Sequence, residues 1–178
     1  MSRFLRATSA FVAGIVFTVI LASGDQAPAA VLDAKSMALA AAAPTTLSQA
    51  IISTGRASKG QVYAGRAISK DSGLAYEVRL LSAGKYYAYD VNPKTGKVTI
   101  SIELKDPDLG TMKGLASVRV SIDVAVKTAE KTGKGRAIAA TYSDFGKGGA
   151  YIIEIIGKKE LLKTITIDAA TGNVLKSS

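Results

Sequence analysis

Few side chains in this sequence could carry out chemistry, and their spacing argues against most of those. There is no Cys and no His among the 178 residues. That removes thiolate nucleophiles, thiolate metal sites and the side chain that most often serves as a base near neutral pH. Carboxylate, Lys and Tyr chemistry remain. Asp144 and Glu154 stand where neighbouring strands could bring an acid and a base together, but any exposed hairpin offers such a pair, and an inert one is expected. Gly146-Lys147-Gly148-Gly149 has the composition of a phosphate-cradling loop. It lacks the Walker spacing, the Ser or Thr after Lys and the following helix, so a hairpin turn is expected instead. Asp106-Pro107-Asp108 reads as a strand breaker, and Asp168 has no further carboxylates at calcium-loop spacing. No catalytic residue, metal ligand or cofactor is expected.

The residues suited to binding are aromatic and aliphatic. Tyr86, Tyr87 and Tyr89 fall on one strand, so both of its faces carry aromatic rings. Cross-strand packing accounts for one face, and the other is open to a partner, since Tyr is enriched at interfaces. Tyr151–Ile156 is apolar on both faces except at Glu154. Such a strand is either buried between two units or presents an apolar patch. Burial is the expectation for Ile152, with a partner surface of Tyr86, Tyr87, Tyr89 and Ile152 as the alternative.

Charge narrows the partner. The formal net charge is +9, and it falls to +7 once Arg3 and Arg6 leave with the leader described next. The cations are interspersed with acids and form no run, zinc module or recognition motif, so nucleic acid is not expected as a partner. A solvated surface explains the pattern, and attraction to anionic envelope material is a second use for it.

The elements that position these residues follow from the chain order. Residues 1–24 read as a signal peptide: Arg3 and Arg6 precede an apolar run at Ala10–Ala22, and small residues follow at Ala22-Ser23-Gly24. A second candidate cleavage site lies around Ala27–Ala30. The run is shorter than the roughly 20 residues a spanning helix needs, so membrane contact is expected only before cleavage, and the product is periplasmic or secreted. Residues 25–44 are Ala-rich with Pro28 and Pro44 and read as a loose spacer with a helical turn or two. Thr46 begins a helix as N-cap with Gln49 at N3; Leu47, Ala50, Ile51 and Thr54 share a face, and Gly55 and Gly60 are expected to stop it. Strand patterns then run from Gln61 to Leu104, with Tyr76, Val78 and Leu80 on one face and Glu77 and Arg79 on the other. Residues 104–119 form a packed connector in which Leu109, Met112, Leu115 and Val118 could line a short helix.

The remainder repeats this plan. A constant shift of 75 carries Thr46 onto Ser121, Leu47 onto Ile122, Ala50 onto Ala125, Lys59-Gly60 onto Lys134-Gly135 and Ala75-Tyr76 onto Ala150-Tyr151. After one inserted residue it carries Thr95-Gly96 onto Thr171-Gly172. Ile152 thereby stands where Glu77 stands in the first copy. One register held through a helix and several turns marks a tandem repeat. The expected fold is α+β, with two modules at 45–103 and 120–178, each one N-terminal helix on a four-stranded antiparallel sheet.

Four motifs carry a family resemblance: the capped helix at Thr46, Leu47, Ala50 and Ile51, then Thr132–Ala140, then Tyr151 and Glu154, then Asp168, Thr171, Gly172 and Val174. They resemble the PepSY domain found in propeptides of thermolysin-like metalloproteases and in small exported bacterial proteins. The first copy departs from the pattern, with Asn92-Pro93 where Asp168-Ala169 stand. The resemblance implies a non-enzymatic exported module that binds another protein, with an exported peptidase as the natural partner. It transfers no catalytic residue. Binding of anionic envelope material is the alternative function.

Overall fold

The computed structural model describes residues 32–105, 112, 114–144, 148–157 and 161–178. The signal peptide at 1–24, Asp106-Pro107-Asp108, Leu109 and Gly146-Lys147 lie outside the described residues.

In the first copy, helix α2 spans Leu47–Ser58. Its start is fixed by a full capping box: Thr46 Oγ1 accepts from the Gln49 amide at 3.0 Å, and Gln49 Oε1 accepts from the Thr46 amide at 2.7 Å. Leu47, Ala50, Ile51 and Thr54 are buried. The helix does not stop at Gly55. It runs through it and ends at Lys59, which adopts the left-handed conformation. Gly60 is required for a different reason, since a Cβ there would lie 2.5 Å from Leu80 Cδ1 and 2.9 Å from the Leu81 carbonyl. Four strands follow: β1 Gln61–Lys70, β2 Gly73–Ser82, β3 Lys85–Val91 and β4 Val98–Leu104, each antiparallel to the next. Tyr76, Val78 and Leu80 are fully buried beneath the helix layer, where each large side chain contributes about 1.5–3 kcal/mol.

The second copy has the same order: α3 Ile122–Gly133, β5 Arg136–Ser143, β6 Ala150–Ile156, β7 Leu162–Asp168 and β8 Val174–Ser177. Its local contacts match those of the first. Tyr76 Oη donates to the Thr45 carbonyl at 3.0 Å, and Tyr151 Oη to that of Val120 at 2.8 Å. Asn92 Oδ1 accepts from the Lys94 and Thr95 amides, as Asp168 Oδ1 does from those of Ala170 and Thr171. The matched turn positions Gly96 and Gly172 have positive φ, as expected where only Gly escapes a Cβ clash. The two caps differ, because the Ser121 hydroxyl donates to Asp123 and makes no cap bond to the helix backbone. The repeat reaches irregularities as well: β1 bulges between Val62 and Ala64, and β5 between Ala137 and Ala139.

The two copies join edge to edge. Strand β1 pairs with β5, giving one eight-stranded sheet of order β4-β3-β2-β1-β5-β6-β7-β8. The pairs are Ala64–Thr141, Gly65–Ala140 and Arg66–Ala139. The 75-residue shift maps this set onto itself, so a local two-fold axis passes through Gly65–Ala140. Gly65 lets α2 lie close to that axis, since a Cβ there would be 3.1 Å from Ile51 and 3.2 Å from Leu47.

Two further expectations change. The Ala-rich stretch is not a loose spacer: Ala34–Ala42 forms helix α1, capped by Asp33 Oδ1 on the Ser36 amide at 2.7 Å. It packs over β1, β2 and β5 with Ser36 and Ala40 buried. Small side chains suffice because they let the helix sit close, and Arg136 bonds the carbonyls of Ala41 and Ala43. Ile152 is not enclosed between the copies, because they meet through strand edges and not through sheet faces. In the connector the described helical part is a single 3-10 turn, Leu115–Ser117, with Leu115 buried.

Candidate functional site

Antiparallel partners share a face of a sheet, so the register assigns each candidate. Tyr87 pairs with Leu80 and Tyr89 with Val78, which places both on the helix-covered face. Their rings stand 6.3 Å apart. Tyr86 pairs with Leu81 on the opposite face and meets the buried Tyr63 ring edge-on at 5.8 Å. Burial raises the Tyr63 phenol to about 12, so that ring stays neutral. Ile152 is half-buried on the same open face as Tyr86, between Thr141 and Thr166. The four residues therefore do not form one patch. Tyr86 and Ile152 share a face but lie four strand steps apart, roughly 19 Å at sheet spacing.

The open face has a charged strip. Glu77 accepts from Arg66 Nε at 3.2 Å and from Arg79 Nε at 2.8 Å, and Lys70 pairs with Asp90. The register continues from Glu77 through Arg66 and Ala139 to Glu154. Burial raises the Glu154 carboxyl above its ordinary value. Asp144, the imagined partner of Glu154 in acid–base chemistry, does not approach it. Glu154 faces Ala139, and Asp144 follows the end of β5, some 17 Å further along by strand rise. Asp168 is held below the ordinary carboxylate range by the hydroxyl and amide of Thr171, which makes it a turn anchor. Among the described residues no group of three or more acidic side chains could hold a metal ion, and no helix is long and apolar enough to cross a membrane.

Strand addition at an exposed sheet edge is one route to a partner, and the structure identifies the two edges. β4 and β8 are the outermost strands, and an edge strand presents unpaired N–H and C=O groups to any extended chain. β8 is short, only Val174–Ser177, and carries Lys176, both common devices for protecting an edge. β4 is seven residues long, contains no proline, and exposes 58% of Ile102. Lys85 pairs with Glu103 across β3 and β4 at 3.1 Å. The strand was legible in the sequence; its position at the rim was not, because that depends on which strands join the copies.

The PepSY family model, described as peptidase propeptide and YPEB domain, matches residues 31–99 and 119–177. No curated protein matches the chain significantly. A solved structure from Clostridium difficile 630, described as a "putative lipoprotein", is 17% identical with a TM-score of 0.45, covering 76% of this chain and 93% of its own.

Proposed function

Because this chain belongs to the PepSY family, whose model matches both copies, we propose that it is an exported, non-enzymatic regulatory module that binds another polypeptide, with an exported peptidase as the expected partner. PepSY modules are propeptide-like, which supports binding over catalysis. The single observation that carries the proposal is β4, a seven-residue edge strand with Ile102 exposed. An extended segment of the partner adds to the sheet there, main-chain bonds supplying affinity and alternate side chains specificity. The test is capture of exported proteins by the parent chain and by Ile102→Lys, which places an edge-protecting charge on β4. The parent retains a defined protein at physiological salt and the variant loses it; equal capture by both rejects the β4 route. The net positive charge favours a second use, attraction to anionic envelope polymers. Binding of that kind weakens steeply as salt rises from about 50 to 500 mM, whereas strand addition does not.

A further inference from the structure

The local two-fold axis makes the two ends of the α2–α3 pair equivalent, and the sequence has made them different. At one end, Glu130 Oε1 accepts from the Ala137 amide at 3.0 Å, and Arg136 Nη1 donates to the Ala41 carbonyl at 2.9 Å. That end is closed by the chain's own carboxylate and by the last turn of α1. At the other end the 75-residue shift places Gly55 at the position of Glu130, so no internal carboxylate fills it, whereas Gln61, at that of Arg136, still closes on the connector through Nε2, which donates to the Leu115 carbonyl at 2.8 Å. A groove of about 510 Å³ lies there between α2 and α3, within the size range of ligand clefts. Its floor includes Ile51, Ile52 and Val62, and its rim carries Arg56, Arg119 and Lys127. Lys127 has Asp123 at 3.5 Å; among the described residues Arg56 and Arg119 form no ion pair.

We propose that this groove receives an acidic side chain from an aliphatic, acidic segment of the protein partner. The incoming carboxylate takes the place that Glu130 fills at the closed end. Val62, the repeat equivalent of Ala137, supplies the matching amide, and Arg56 and Arg119 supply charge complementarity, Lys127 being offset by Asp123, which also lines the groove. Ile52 and Val118, both half-buried and lining the groove, accept the flanking aliphatic groups. The inference rests on the protein-binding function proposed above and narrows the partner's chemistry.

The experiment is fluorescence anisotropy of the full chain with a labelled peptide of alternating leucine and glutamate, beside its leucine–glutamine counterpart. The glutamate peptide binds at least about tenfold more tightly, and Arg56→Gln with Arg119→Gln removes about tenfold of that affinity. Lys94→Gln with Lys97→Gln, an equal charge loss on an exposed turn outside the groove, changes affinity by less than about twofold. Gly55→Glu installs an internal carboxylate and abolishes binding, whereas Gly55→Ala retains it. Should Gly55→Glu fail to fold, the Arg pair decides alone. Equal binding of the two peptides overturns the proposal, as does an equal loss on changing Lys94 and Lys97. Displacement of the peptide by phosphatidylglycerol vesicles through Arg56 and Arg119 also overturns it, by making the groove a headgroup site. If the parent captures a protein through β4 but does not prefer the glutamate peptide, the groove assignment fails and the binding function stands. If no protein is captured yet the peptide results hold, the function fails and the groove stands.

Discussion

Replacing Gly135 by Ala tests the close approach of the helix-to-strand junction to β6. A Cβ at Gly135 would lie 2.2 Å from the Ile156 carbonyl oxygen and 2.6 Å from Ile155 Cγ2. Ordinary carbon–oxygen contacts are about 3.3–3.6 Å, so the overlap is about 1 Å, and it falls on backbone that cannot rotate away. β5 and β6 must separate where Arg136 pairs with Ile156. Overpacking costs about 1–3 kcal/mol and a weakened ladder bond about 1 kcal/mol. The reduced freedom of the unfolded chain returns about 0.4–1 kcal/mol. The net loss is about 2–3 kcal/mol, which lowers Tm by roughly 5–10 °C at this chain length. Gly60→Ala is milder, because its closest contact is the movable Leu80 side chain at 2.5 Å. Gly55→Ala reverses the sign: its Cβ would meet Val62 at an ordinary 3.4 Å, and the helix gains about 1 kcal/mol. Thermal unfolding by circular dichroism measures all three. A Gly135→Ala protein as stable as the parent refutes the packing argument, and so does a Gly55→Ala protein that melts as early as Gly135→Ala.

Tyr151→Phe leaves the Val120 carbonyl without its buried donor and costs about 1–2 kcal/mol, and Tyr76→Phe costs a similar amount at Thr45; chemical denaturation measures both. Because burial raises the Glu154 carboxyl, its ionised form is disfavoured on folding, so stability is greatest below its unfolded value and declines as pH rises through the folded one. Glu154→Gln therefore raises Tm near neutral pH but not at about pH 4, and a pH series of melts shows it. Ile152→Glu, on the open face, lowers stability by only about 1 kcal/mol or less; a loss of several kcal/mol by denaturant titration contradicts its placement. The chain has no Cys, so Ala64→Cys with Thr141→Cys gives an unambiguous test of the β1–β5 seam: mild oxidation forms an intrachain disulfide, detected by a gel shift, in the folded protein.

What the two copies share is legible in the sequence. Thr46 with Gln49, the turns at Asn92 and Asp168, and the strand faces at Tyr76–Leu80 all rest on local periodicity or turn chemistry, and the structure contains them. The union of the copies is non-local. It depends on Ala64, Gly65, Ala139 and Ala140, small residues whose identities do not announce a strand pairing, so Ile152 was expected between the copies. Helix α1 is not legible in the sequence, because its Ala residues bury little area singly and its packing depends on Arg136, nearly a hundred residues away. The groove depends on Gly55 standing where Glu130 stands, a difference present in the aligned copies but without meaning until the two-fold axis is known.

Amide hydrogen exchange of the captured complex tests the central claim most directly. If the partner adds a strand to the sheet, the amides of Val98–Leu104 in β4 become protected on binding while those of β8 keep their free-state rates. Unchanged exchange across β4 in a complex that survives physiological salt contradicts the account.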